Sequence, residues 1–159
     1  MTQITFVCTG NVCRSAVAEA ILKQKVKLNH IADVTVNSVG TMNLCGAARD
    51  GIMARIAAGY GYNMDGVSTF RTKEILEKAD LILVMTHTHK LEVQNIIPYE
   101  YWGRIRLFMD YCFDKEISLE DPSYMPESVY LRTFQIIEKG CQFITERLKA
   151  GLDDTPWDV

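Results

Sequence analysis

The chain has 159 residues, a formal net charge of −3 and an ordinary balance of 48% hydrophobic to 23% charged side chains. Those values describe one globular domain with a real core and argue against a nucleic-acid backbone or an anionic membrane as the main partner. Nothing approaches the roughly 18 apolar residues of a membrane span, and five cysteines without framework spacing point to a reducing, cytoplasmic setting.

In chain order, Ile4-Thr5-Phe6-Val7-Cys8 reads as a buried strand. A helix follows from Ser15 to about Asn29, with Ala16, Val17, Ala20 and Ile21 close to one face. Val34 to Ser38 is a second strand ended by Gly40, and Ile52, Ile56 and Tyr60 mark a helix that stops at Gly59-Tyr60-Gly61. Leu81 to Met85 is apolar throughout, as a central strand covered on both faces should be. Ile105 to Phe108 is a candidate fourth strand. Tyr130, Phe134, Ile137, Cys141, Ile144 and Leu148 then recur at helical spacing as a single stripe.

Strands separated by helices predict an α/β domain over residues 1–150, with a parallel sheet and helices on both faces, followed by a loosely held tail at 151–159. Sites in such folds lie at the carboxyl ends of strands, where loops lead into helix N-termini. The first strand ends in Cys8-Thr9-Gly10-Asn11-Val12-Cys13-Arg14-Ser15 at that kind of junction. A bare Cys-x5-Arg-Ser pattern recurs by chance, but its position between strand and helix gives it weight.

Each residue type there has a physical use. A short loop at a helix N-terminus can turn several N–H groups inward, and the helix dipole adds positive potential, which suits a phosphate dianion. Gly10 permits close approach, and Asn11 tolerates a left-handed backbone. Arg14 can grip two phosphate oxygens at once, which lysine cannot reproduce. The same field favours a thiolate on Cys8 without a separate base, and Ser15 can donate a hydrogen bond to it. The plainer reading of Cys8 is a small buried hydrophobe, and Arg14 and Ser15 weigh against it. Zinc on Cys8 and Cys13 lacks a second ligand pair.

With these residues the sequence resembles the low-molecular-weight protein tyrosine phosphatases. The resemblance spans nearly the whole chain: Phe6 to Ser15, Ser38-Val39-Gly40-Thr41, Asp80 to Met85, and Asp121-Pro122. It implies a four-stranded parallel sheet, no metal or other cofactor, and two-step hydrolysis of phosphotyrosine in a protein, or of a small aryl phosphate, releasing inorganic phosphate. Residue by residue, it implies Cys8 as nucleophile, Arg14 as clamp, and Thr9, Gly10, Asn11, Val12 and Cys13 as the cradle. Ser15 tunes the thiolate, and Ser38 is a partner for Asn11. Asp121 is the general acid and then the base; Pro122 supports it by biasing Asp121 away from helix. Cys13 resembles a second cysteine that, in many members, forms a reversible disulfide with the nucleophile, a neutral loop thiol being the alternative.

The chain departs from that pattern in several places. Ala16 stands where proline is common. Gly66 falls near a histidine of some members' supporting network, which is expected to be reduced here. Thr86-His87-Thr88-His89 replaces a segment where aspartate is common, and both histidines are expected to face solvent at a helix start. At the rim, Leu44 and Val12 offer apolar walls, and Ser123 precedes the aromatic Tyr124, which either lines the pocket or packs on its own loop. Two other readings stay open: a thiol-coupled arsenate reductase, weakened by the absence of cysteine between Cys45 and Cys112, and a non-catalytic phosphate-binding or redox module.

Overall fold

The N-terminal apolar run forms β1 (Thr2–Cys8), followed by α1 (Arg14–Leu28), β2 (Val34–Gly40), α2 (Gly51–Gly59), α3 (Lys73–Lys78) and β3 (Leu81–Val84). Then come α4 (His87–Gln94), a 3-10 turn at Tyr99–Arg104, β4 (Ile105–Leu107), α5 (Phe108–Phe113) and α6 (Glu127–Lys149). The structure is a computed structural model that describes residues 1–151, so the expected tail, apart from Gly151, lies outside the described residues. The four strands are all parallel, in the order β2-β1-β3-β4. The α/β expectation holds, with small shifts: β2 runs two residues further to Gly40, and Phe108 opens α5 instead of ending β4. The helices α3 to α5 have only one or two turns each, too short to leave a readable period.

Alternation along the central strands divides two cores. Ile4, Phe6, Leu81 and Leu83 face the larger one, under α1, α2, α5 and α6, while Val7, Ile82 and Val84 face the smaller one on the opposite side. Both faces are therefore covered, which is why β3 has no polar position. The α6 stripe is buried from Tyr130 to Ile144, with Leu148 only partly covered. In α2 the inward face is one position off the expected one: Met53 and Ala57 are buried, Ile52 and Ile56 are half-buried, and Tyr60 is exposed at the helix end. Asp50 sets that rotation. It caps α2 through Met53 N–H while its own N–H is held by the Val12 carbonyl.

From β1 the chain turns to β2 on one side, then crosses by α2 and α3 to β3 on the other. The loop after β1 thus sits where the connections diverge, in the crevice at the strand ends. Gly40 makes this possible. It pairs with Cys8, and a Cβ there would lie 2.7 Å from the Thr9 carbonyl oxygen, 2.9 Å from Gly10 C and 3.0 Å from Asn11 N. All three are backbone atoms that cannot step aside. Gly40→Ala is therefore expected to destabilise the fold by about 1–3 kcal/mol in urea unfolding. At Gly59 a Cβ meets nothing within 4 Å. Gly59→Ala in the same titration should be neutral or stabilising by up to about 1 kcal/mol.

Candidate active site

Helix α1 begins at Arg14 with no side-chain cap on Cys13 and no acidic residue in its first turn. Its N-terminal amides and positive dipole end are left open to an anion. The loop that precedes it is held from outside by its carbonyls. Cys8 O accepts from Thr41 N at 3.0 Å, Thr9 O from Met42 N at 2.9 Å, Val12 O from Asp50 N at 2.8 Å and Cys13 O from Val17 N at 2.9 Å. Asn11 O accepts from the Arg49 guanidinium. No peptide bond among the described residues is cis, and in a planar trans peptide the N–H points opposite to the C=O. Pinning these carbonyls outward turns the N–H groups of Thr9, Gly10, Val12, Cys13 and Arg14 inward. Among the described residues none of them finds a protein acceptor.

Asn11 is the hub of the loop. Its φ of 57° is left-handed, and its side chain is fully buried and fully bonded. Nδ2 donates to Ser15 Oγ at 2.9 Å and to Ser38 Oγ at 2.8 Å. Oδ1 accepts from Thr69 N at 2.8 Å and from Arg49 at 3.2 Å. A left-handed non-glycine residue costs about 1–2 kcal/mol, and four hydrogen bonds at about 1 kcal/mol each outweigh that. Ser38 Oγ donates a hydrogen bond to Glu19, which also holds Lys23 at 2.6 Å. Ser15 Oγ, which accepts from Asn11, lies 2.9 Å from Cys8 Sγ, where its hydroxyl can donate to a thiolate. The expected pairing of Asn11 with Ser38 is present. Arg49 lies close beside Gly66 and donates to Asn11 O and Oδ1.

Cys8 is 2% exposed at the base of the loop. Arg14, 3% exposed, is oriented by Nη1 donating to Leu119 O at 2.8 Å, with Thr9 Oγ1 3.5 Å from Nη2. Its buried Nε has no partner among the described residues. The Nε–Nη2 edge is thus available for two oxygens of a tetrahedral anion. Leu119 N is tied to Met85 O at 2.8 Å, so one residue anchors the following segment both to the end of β3 and to Arg14. Two residues on, Asp121 turns Oδ2 toward Arg14 at 4.0 Å. Ser123 holds the other oxygen through its N–H at 3.0 Å and its hydroxyl at 2.7 Å.

Of the remaining expected residues, Leu44 lies over the loop, its Cδ1 2.7 Å from where a Gly10 Cβ would stand, and Val12 is half-buried. Tyr124 is fully exposed on a left-handed backbone. Cys13 is a buried free thiol, pushed well above its ordinary range first by burial and then by the Asp50 charge. His87 is exposed as expected, but His89 is not: it is 2% exposed. Its Nδ1 accepts from Thr86 N at 3.2 Å, so Nε2 carries the proton and donates to Thr9 Oγ1 at 2.8 Å. The helix-start placement expected for both histidines holds, with Thr86 capping α4, but the expected solvent exposure fails for His89. The contact to a loop 80 positions away left no local signal.

An amide-lined loop with a buried thiol and an arginine at its base suits the anion and thiolate chemistry of a cysteine-dependent phosphatase. The chain belongs to the low molecular weight phosphotyrosine protein phosphatase family, whose model matches residues 3–153. It is 32% identical over 146 residues to the low molecular weight protein-tyrosine-phosphatase Etp of Escherichia coli, covering 91% of this chain and 93% of that one. It is 29% identical over 150 residues to the protein-arginine-phosphatase of Bacillus subtilis, covering 92% and 96%. The crystal structure of a protein tyrosine phosphatase from Entamoeba histolytica superposes with a TM-score of 0.86 at 27% identity, covering 95% of this chain and 99% of that one.

Burial, and then the Arg14 charge, lower His89 from 6.5 to about 4, with Asp121 opposing. Between those values the unfolded chain binds more protons than the folded one, so stability falls as pH drops from about 6.5 to about 4 and is untouched above. Over that window the wild type should lose up to about 1.4 kcal/mol per pH unit more than His89→Gln, measured by urea unfolding of both proteins.

Proposed function

We propose that the protein hydrolyses phosphotyrosine, in proteins or as small aryl phosphates, through a phosphocysteine intermediate on Cys8. The observation that carries this reading is the loop after Cys8, whose carbonyls are held by outside donors, together with the buried Arg14 Nε that has no partner among the described residues. In the first step the Cys8 thiolate attacks phosphorus, the bond to the aryl oxygen breaks, and Asp121 gives its proton to that oxygen. The amides and Arg14 take up the charge on the equatorial oxygens. In the second step Asp121 removes a proton from water, the oxygen attacks phosphorus and the S–P bond breaks. Ser15 hydrogen-bonds the departing thiolate, and inorganic phosphate leaves.

Support for an aryl group comes from the lip, where Val12 and Leu44 are apolar and Tyr124 stands free to meet a ring. Relatives named for tyrosine and for arginine phosphatase activity make the atom that phosphorus leaves, oxygen or nitrogen, the point to resolve. Asp121 fits the role of acid because one oxygen is fixed by Ser123 while the other faces the site. A cytosolic setting is supported by five free thiols.

The test is turnover of a phosphotyrosine peptide, a phosphoarginine peptide and p-nitrophenyl phosphate by wild type, Cys8→Ser and Asp121→Ala. Cys8→Ser should abolish turnover. Asp121→Ala should lower kcat on phosphotyrosine roughly 100-fold or more. It should lower p-nitrophenyl phosphate turnover less, since nitrophenolate leaves without a proton. Full activity of Cys8→Ser overturns the mechanism, and preference for phosphoarginine overturns the substrate.

A further inference from the structure

We infer that Arg49 is a positioning residue for catalysis, fixing the Val12 amide and the left-handed Asn11 so that the loop fits a phosphoryl group. The inference rests on reading Cys8 to Ser15 as the phosphate site. Of the groups that pin the loop carbonyls, those from Thr41, Met42, Val17 and Asp50 are backbone N–H groups supplied by the fold itself. Arg49 is the one side chain among them. Its Nη1 donates both to Asn11 O and, at 3.2 Å, to Asn11 Oδ1, while its Nε donates to Asp65 O at 3.2 Å. One guanidinium therefore straps the loop to the 65–66 turn and controls the Asn11–Val12 peptide plane at both ends of the same residue.

The strap has a defined consequence for chemistry. With the Asn11 carbonyl held outward, the Val12 N–H must point into the cradle. Among the described residues Asn11 O has no other donor, so without Arg49 that peptide plane is held only through its neighbours. Asn11 would keep Thr69, Ser15 and Ser38 as partners, so the fold would survive while one amide donor loosened. Arg49 also lines a cleft of about 690 Å³ between α1 and residues 63–69. Water from that cleft can replace part of the lost hydrogen bonding, so the effect of removal is a graded loss, not abolition. The guanidinium adds positive charge behind the loop as well, which favours the dianion and its transition state.

The experiment compares wild type, Arg49→Ala, Arg49→Met and Arg49→Lys for kcat and KM on p-nitrophenyl phosphate, inhibition by inorganic phosphate and thermal midpoint. For Ala and Met, the phosphate inhibition constant should rise about 10-fold and kcat/KM fall at least as much, part of it in kcat. Lys, with the charge and one short donor head, should recover part of both. Folded Ala and Met variants with wild-type kcat/KM and phosphate inhibition overturn the inference. Loss of fold in both also overturns it, since Arg49 would then be holding the structure up and not aiming an amide. If the phosphatase reading itself is wrong, wild type shows no turnover that depends on Cys8 and no phosphate inhibition, an outcome visible before any Arg49 variant is made.

Discussion

The peptide planes of the loop between β1 and α1 are aimed by what holds their carbonyls. An N–H group cannot be turned toward a ligand except by turning its carbonyl away, and a carbonyl turned away from the site needs a donor on the outside. Those donors come from the segment after β2, from the cap of α2 and from the first turn of α1. The parallel pairing of β1 with β2, in a register that sets Cys8 against Gly40, brings the first set within reach. Gly40 itself is required because backbone crosses where a side chain would stand. The sheet therefore matters to function through the positions at which its strands end.

Around this loop the structure places three buried supports that act in different directions. Asn11, Ser15 and Ser38 tie the loop to β2 and leave the Ser15 proton for the thiol. His89, kept neutral by burial, holds the Thr9 hydroxyl from the α4 side. Leu119 couples β3, Arg14 and the segment bearing Asp121. The guanidinium and the proposed acid are consequently positioned by one anchor, so a shift in that segment moves both. Ser123 spends its hydroxyl on Asp121, while the aromatic side chain beside it, Tyr124, is fully exposed.

Much of this was legible from residues close together in sequence. The strand, the loop and the helix start from Ile4 to Ser15 are one contiguous stretch, and its chemistry follows from residue types and spacing. The alternating strands and the α6 stripe were equally plain because burial imposes a period. The supports were not legible, for a physical reason: Arg49 meets Asn11 across 38 positions and His89 meets Thr9 across 80. An arginine in a loop and a histidine at a helix start look like solvated residues until the fold buries His89 and half-buries Arg49 against the loop. Gly66 itself offers no side chain, and the guanidinium that reaches Asn11 belongs to Arg49 beside it. Asp121 was reached through family resemblance, and the geometry adds that its carboxylate has one tethered and one available oxygen.

The central claim is that phosphorus is handed to Cys8 and from there to water. Its most direct test is a denaturing quench of the protein during turnover of a phosphotyrosine peptide, followed by mass measurement of its fragments. A single phosphoryl group on the fragment carrying Cys8, lost when Cys8 is alkylated beforehand, is the predicted result. Steady release of phosphate with no phosphoryl group on that fragment would contradict the account.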